Sequence, residues 1–279
     1  MPENASPSKA GSPLDSLKAV FALPNNHPNK IIAVAVALCL VCSLIVSAAA
    51  VGLRPLQERN ESLALKREIL KVAGLYEPGL DIEQAFKRLD VRLVELDTGE
   101  YVSGVDATAF DMRKAAADPA QSLALGNDDD LARIRTRANT MPVYLLRDGE
   151  ELKSLILPVY GYGLWSTMYA LLALEPDGRT VADISFYDQR ETAGLGGEVA
   201  NPRWQAGWSG KQLVDAQGVP VFRVAKGSVD PATPAAGSQV DGLSGATLTS
   251  NGVTNLVRFW MGDLGYGPYL QRVRDGRGG

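Results

Sequence analysis

The sequence predicts an α+β protein with one N-terminal transmembrane helix and a single domain, in which a mostly antiparallel sheet is flanked by helices. Three observations predict it. Ile31 to Leu53 is a run of 23 residues without a charge, Asn, Gln or Pro. Between Val91 and Tyr187, short apolar segments are separated by turn-forming Asp-Gly pairs. Near the end, Val253, Leu256, Val257 and Trp260 fall on one helical face, closed by Gly262 and Gly265.

As a helix, the apolar run spans roughly 35 Å, against a hydrocarbon core of about 30 Å. A cleaved signal peptide is the rival reading, because Ser47, Ala48, Ala49 and Ala50 resemble a small-residue cleavage site. The run exceeds the roughly 7 to 15 residues of a signal core, which favours a retained anchor. The expected organisation is a polar tail over 1–30, the transmembrane helix over 31–53, a stalk helix over 54–74, the folded domain over 75–270 and a flexible C-terminus over 271–279. Leu56, Leu63 and Leu70, seven residues apart among Glu, Arg and Lys, mark the stalk, which Gly74 ends. The basic residues flanking the span are Lys18 and Lys30 before it, and Arg54, Arg59, Lys66, Arg67 and Lys71 after it. Counted alone they place the domain in the cytoplasm, but a long domain translocates largely regardless of charge.

The chain carries a net charge of −4, to which residues 1–53 contribute +1 (Lys9, Lys18 and Lys30 against Glu3 and Asp15), so the remainder is −5. Such a domain is a poor ligand for nucleic acid. Its only histidine, His27, lies in the tail, which removes Ser-His-Asp triads and histidine metal sites from the domain. Cys39 and Cys42 both lie in the apolar run, so no disulfide is available to the domain, and their setting is that of inert thiols.

Asp81 caps a helix whose apolar face is Ile82, Ala85, Phe86 and Leu89. Strands are expected at Val91–Leu96, at Val143–Leu146 and Leu152–Val159 around the Asp148-Gly149 turn, at Thr167–Leu174 and Thr180–Tyr187 around Pro176, Asp177 and Gly178, and at Val221–Val224. The Ala-rich, charged stretch from Ala107 to Asn139 reads as one or two covering helices with an acidic loop at Asp128, Asp129 and Asp130.

Three Gly-, Ser- and Thr-rich segments remain. The first, Gly161 to Tyr169, holds Leu164, Trp165, Ser166, Thr167 and Met168; alone it is a hairpin end with an aromatic plug. The second, Glu191-Thr192-Ala193-Gly194-Leu195-Gly196-Gly197, is a loop after a strand, followed by Trp204 and Trp208. The third, Asp241 to Ser250, contains Ser244-Gly245-Ala246-Thr247; alone it is a helix start capped by Thr249 or Ser250.

Together, and behind an N-terminal span, these segments resemble the FMN-binding domain of the C subunit of the sodium-translocating NADH:quinone reductases. The resemblance runs from the anchor to about residue 265, and the Leu164–Tyr169 string is its most subunit-specific part. It implies that Thr247, which ends the Ser-Gly-Ala-Thr motif, is esterified to the phosphate of FMN by a separate flavin transferase using FAD and Mg²⁺. It further implies that Glu191, Thr192, Leu195 and Gly196 line the flavin, that Leu164 to Met168 form another wall, and that Lys211 lies near the ring or ribityl chain. The implied partners are an iron–sulfur/FAD subunit, a second FMN subunit and the lipid bilayer. The implied path takes electrons from NADH to ubiquinone as sodium is exported across a bacterial inner membrane, with the domain in the periplasm. Two positions depart from the family pattern, Gln189 where histidine is common and Ala193 where proline is common; a less rigid loop is expected, and any role of that histidine is absent. The rival readings are the G subunit of an Rnf-type ferredoxin:NAD complex, a membrane-tethered binding domain in which Thr247 merely starts a helix, and a serine hydrolase using Ser244, which lacks a histidine base.

Overall fold

The structure, a computed structural model, describes residues 22–278; most of the expected polar tail lies outside that range. It divides into two compact units, one ending at Glu61 and the other running from Ser62. The first holds most of helix α1, Pro28–Val72, whose Ile31–Leu53 portion presents its large apolar side chains outward. This is the one helix among the described residues long and apolar enough to cross a membrane. The stalk continues the span as one helix. Pro55 lies inside it, where its ring costs one backbone hydrogen bond without ending the helix. Gly74, at φ 69°, follows the last turn.

In the second unit, Asp81 accepts from the N–H groups of Glu83 and Gln84 and caps α2, Ile82–Phe86. Next come β1, Leu89–Glu95, and β2, Glu100–Val102. Asp111 then caps α3, Met112–Ala117. Here the structure departs from the covering helices expected over 107–139. The α-helix stops after six residues because Asp118 precedes Pro119, which disfavours helical backbone at 118. The rest forms a short antiparallel pair, β3 (Ser122–Ala124) and β4 (Thr136–Ala138).

The main strands follow: β5, Thr140–Asp148; β6, Glu151–Tyr162; β7, Thr167–Leu174; and β8, Val181–Asp188. With β1 and β2 they build a six-stranded sheet in the order β2-β1-β5-β6-β7-β8, antiparallel throughout. Beyond it lie α4, Pro202–Ala206, then β9, Arg223–Val224, and β10, Gln239–Val240. β9 is shorter than the expected 221–224 strand and pairs in parallel with β10, outside the main sheet. The chain closes with α5, Thr247–Met261, and α6, Gly267–Arg274. Of the C-terminus expected to be flexible over 271–279, residues 271–274 complete α6, and the Gly278 carbonyl accepts from the hydroxyls of Tyr101 and Tyr269.

The sheet is covered on both sides, so its central strands read as continuous apolar runs. Alternate residues serve different cores. Leu155, Leu157 and Val159 of β6 and Ala170, Leu172 and Leu174 of β7 join the cluster containing Val253, Leu256, Val257 and Trp260 of α5. Ile156, Leu171 and Ala173 face the other way, into a cluster with Ile69, Leu70 and Val72 of α1 and Phe86 of α2. On the α5 side, two buried polar tips are satisfied by strand β6. Trp260 Nε1 donates to the Tyr160 carbonyl at 2.6 Å, and the Tyr266 hydroxyl donates to the Pro158 carbonyl at 2.9 Å. This packing fixes the start of α5 beside the β6–β7 turn and the loop after β8.

Candidate functional site

The β6–β7 turn, the loop after β8 and the start of α5 meet at one carboxylate. Glu191 is buried, 8% exposed. Its Oε1 accepts from the N–H groups of Trp165 at 2.9 Å and Ser166 at 3.1 Å, and the Leu164 N–H lies 3.1–3.2 Å from both oxygens. Its Oε2 accepts from the Thr249 hydroxyl at 2.7 Å. Burial alone pushes the pKa of this group up; the hydrogen bonds from Thr249 and the three backbone N–H groups outweigh it and hold the pKa below the usual carboxylate value. Glu191 therefore stays ionised and serves as the knot joining the three segments.

Glycines make that knot possible. A Cβ on Gly163 would lie 2.7 Å from Glu191 Oε1, and one on Gly196 would lie 2.9 Å from Oε2 and run into the Thr249 hydroxyl. The loop after β8 is closed by its own bonds: the N–H groups of Leu195 and Gly197 both donate to the Thr192 carbonyl, and Ser166 Oγ accepts from the Arg190 N–H at 2.9 Å. Gln189 is a finding in itself. Its side-chain oxygen accepts from the Glu191 N–H at 2.6 Å, so the residue standing in the histidine's place ties the loop.

The start of α5 is open. Its N-cap is Ala246, which has no capping side chain, whereas Thr249 or Ser250 was expected to cap. Both are buried one turn inside, where Thr249 serves Glu191 and Ser250 Oγ accepts from the Leu243 N–H. Among the described residues, the N–H groups of Thr247, Leu248 and Thr249 have no acceptor, so a long helix presents unpaired donors and the positive end of its dipole. Thr247 and Ser244 are exposed there, and Gly245, at φ 69°, supplies the left-handed turn that brings the chain into the helix. Around this point Leu164, Trp165, Leu195 and Leu248 are 38%, 66%, 42% and 59% exposed. Such an apolar cluster beside an anion-binding helix end suits a ligand with a flat apolar ring and a phosphate.

Of the residues expected from sequence, the structure brings together Leu164, Trp165, Ser166, Glu191, Leu195, Gly196, Ser244, Gly245, Ala246 and Thr247 around this knot. Thr192 is exposed on the loop rim, and Thr167 begins β7 opposite Tyr162. Met168 is fully buried and packs beneath the turn rather than forming an open wall. Lys211 is held elsewhere; its Nζ donates to the Ala236 carbonyl at 2.8 Å. Sequence reasoning missed Thr249, read only as a cap, and also Gly163 and Leu248.

The family model described as "FMN-binding domain" matches residues 163–262, a stretch that holds all three segments apart from Gly161 and Tyr162 at the end of β6. The chain is 52% identical to the C subunit of the Na(+)-translocating NADH-quinone reductase of Vibrio anguillarum, over 92% of this chain and 99% of that one. It is 48% identical to the Pseudomonas aeruginosa protein of the same name, over 87% and 95%. The crystal structure of Shewanella oneidensis NqrC superposes with a TM-score of 0.72 at 34% identity, covering 78% of this chain and 99% of that one. The crystal structure of the Parabacteroides distasonis protein, again the C subunit of a Na(+)-translocating NADH-quinone reductase, gives a TM-score of 0.59 at 27% identity, covering 78% and 96%. An FMN-binding domain behind an apolar helix, with near-complete coverage of these relatives, places this chain in the family of the C subunits of the Na(+)-translocating NADH-quinone reductases.

Proposed function

We propose that this chain is an electron-transfer subunit of a sodium-exporting NADH:ubiquinone reductase and carries FMN as a phosphoester on Thr247. One observation supports the reading above the rest: an exposed threonine hydroxyl stands at the uncapped start of a 15-residue helix, beside four exposed apolar side chains. Thr247 would hold the phosphate, with the free N–H groups of α5 opposite its remaining charge, and Leu164, Trp165, Leu195 and Leu248 would border the ring. When bound, FMN supplies one- and two-electron redox chemistry.

The protein's own share is to place and shield. Glu191 stays ionised within a closed set of hydrogen bonds, so it holds the turn, the loop and the helix in register and has no proton to exchange near neutral pH. Gly245 lets the backbone pass close to the phosphate. Attachment is the work of a flavin transferase using FAD and Mg²⁺. The Thr247 oxygen forms a bond to the FMN-side phosphorus of FAD, the pyrophosphate P–O bond breaks, AMP leaves and the hydroxyl proton is released. In this reading Ile31–Leu53 anchors the chain in a bacterial inner membrane with the domain in the periplasm. Its neighbours are a second FMN subunit and an iron–sulfur/FAD subunit. The family membership weighs against the Rnf-type reading, and the FMN-binding match weighs against a cofactor-free tether.

The test is intact mass under denaturing conditions, with parent and Thr247→Ala each co-produced with an active flavin transferase. A gain of one FMN less one water in the parent alone establishes the ester and its position. An unchanged parent mass overturns it.

A further inference from the structure

A concave site lies against the end of β6 and the start of β7, lined by Tyr160, Tyr162, Thr167 and Tyr169. It is a cleft of about 840 Å³, and of the flavin-site residues expected from sequence only Thr167 lines it. Its walls carry three arginines: Arg113 from α3, and Arg133 and Arg135 from the loop before β4. On a domain with a net charge of −5, this concentration of guanidinium groups runs against the overall balance.

The arginines are set in place at some cost. Arg133 and Arg135 have φ 55° and 65°, the only non-glycine residues with positive φ among those described, and such backbone is unfavourable for an L side chain. Asp130 holds them so, its two carboxylate oxygens each accepting a backbone N–H at 2.8 Å, from Ile134 and Arg135. Tyrosine rings support two of the heads. The Arg113 guanidinium lies 3.7 Å from the Tyr169 ring centre and pairs with Asp188 at 2.6 Å, and that of Arg133 lies 5.4 Å from the Tyr162 ring centre. Neither Arg133 nor Arg135 has an acidic partner among the described residues. Tyr160, 6% exposed, also lines the cleft, and its hydroxyl is buried without a hydrogen-bond partner. Forked donors converging on a concave surface suit an oxyanion with more than one charged group.

We infer that the Arg113–Arg133–Arg135 cleft binds a small multivalent oxyanion, a phosphate ester or a polycarboxylate, independently of the flavin on Thr247. A guanidinium held in a fixed orientation loses less freedom on binding than a loose one, which is the gain that offsets the strained backbone.

The test is calorimetric titration of the full chain in detergent with pyrophosphate and with citrate, against chloride at matched ionic strength. Saturable sub-millimolar binding of either probe is expected; pyrophosphate alone indicates a phosphate ester, and citrate alone a polycarboxylate. Arg133→Gln and Arg135→Gln should each weaken binding about tenfold. Thr247→Ala should bind as the parent does. Arg133→Gly, which removes the guanidinium and relieves the backbone, should weaken binding as Arg133→Gln does, with an unfolding midpoint no lower than the parent's. No saturable signal with either probe, equal affinity in the arginine variants, or loss of binding in Thr247→Ala overturns the inference.

Discussion

The Thr249 hydroxyl donates to Glu191 Oε2 at 2.7 Å, a bond between residues 58 apart in sequence. It fastens the first turn of α5 to the loop after β8, and the other carboxylate oxygen fastens that loop to the β6–β7 turn. A single ionised side chain thus aligns the three segments before any ligand arrives.

Replacing Glu191 with Gln keeps the volume but turns one oxygen into a donor, which at Oε1 faces backbone N–H groups and at Oε2 takes away the acceptor of the Thr249 hydroxyl proton. At least one buried N–H or hydroxyl is then unsatisfied, a loss of about 1–3 kcal/mol. The expected result is a lower unfolding midpoint and reduced covalent flavin, checked by thermal melts and intact mass. An unchanged midpoint would show that the Glu191 bonds do not hold the site.

The pH dependence follows from the same group. The folded pKa of Glu191 is lowered, so its contribution is fully present above the unfolded value, about 4.3. It falls away as pH drops below that value and is gone below the folded pKa. Stability measured by urea titration between about pH 5 and pH 2 should therefore decline more steeply in the parent than in Glu191→Gln. Parallel curves would contradict the assignment.

Gly196→Ala places a methyl group against Glu191 Oε2 and the Thr249 hydroxyl. Overpacking of this kind costs about 1–3 kcal/mol, and here it also parts α5 from the loop. Both the melting temperature and flavin loading should fall. Gly194→Ala, two residues away, meets nothing within 4 Å but sits at φ 74°, so it separates backbone strain from collision.

Thr247→Ala removes an exposed hydroxyl that accepts and donates no bond within the described residues, at a position where alanine favours the helix. Stability should change by less than about 0.5 kcal/mol while covalent flavin is abolished. A large loss of stability would mean that the hydroxyl has a structural partner in the folded chain.

Trp260→Phe should destabilise by about 2–4 kcal/mol, because it leaves a cavity and deprives the buried Tyr160 carbonyl of its Nε1 donor. Denaturant titration measures the loss directly.

Much of this protein was legible in one dimension. The uncharged run from Ile31 to Leu53, the apolar runs of β5 to β8 between their Asp-Gly turns and the apolar face of α5 are local patterns, and they carry the α+β class and the antiparallel order without knowledge of any contact. The Ser244–Thr247 motif likewise pointed to the helix start. Local pattern failed where a neighbour or a distant contact decides. Pro119 stopped the covering helix after Ala117, and Gly278 is held by tyrosines from β2 and α6. Thr249 looks like a cap until Glu191 is seen beside it, and Gln189 looks like a loss until its amide oxygen is found on the Glu191 N–H. The cleft with Arg113, Arg133 and Arg135 has no sequence signature at all, since its walls come from strands, loops and a helix far apart in the chain. Periodicity determines which face of an element is apolar; which polar groups meet is decided only when the packed sheet and helices bring them within hydrogen-bond reach.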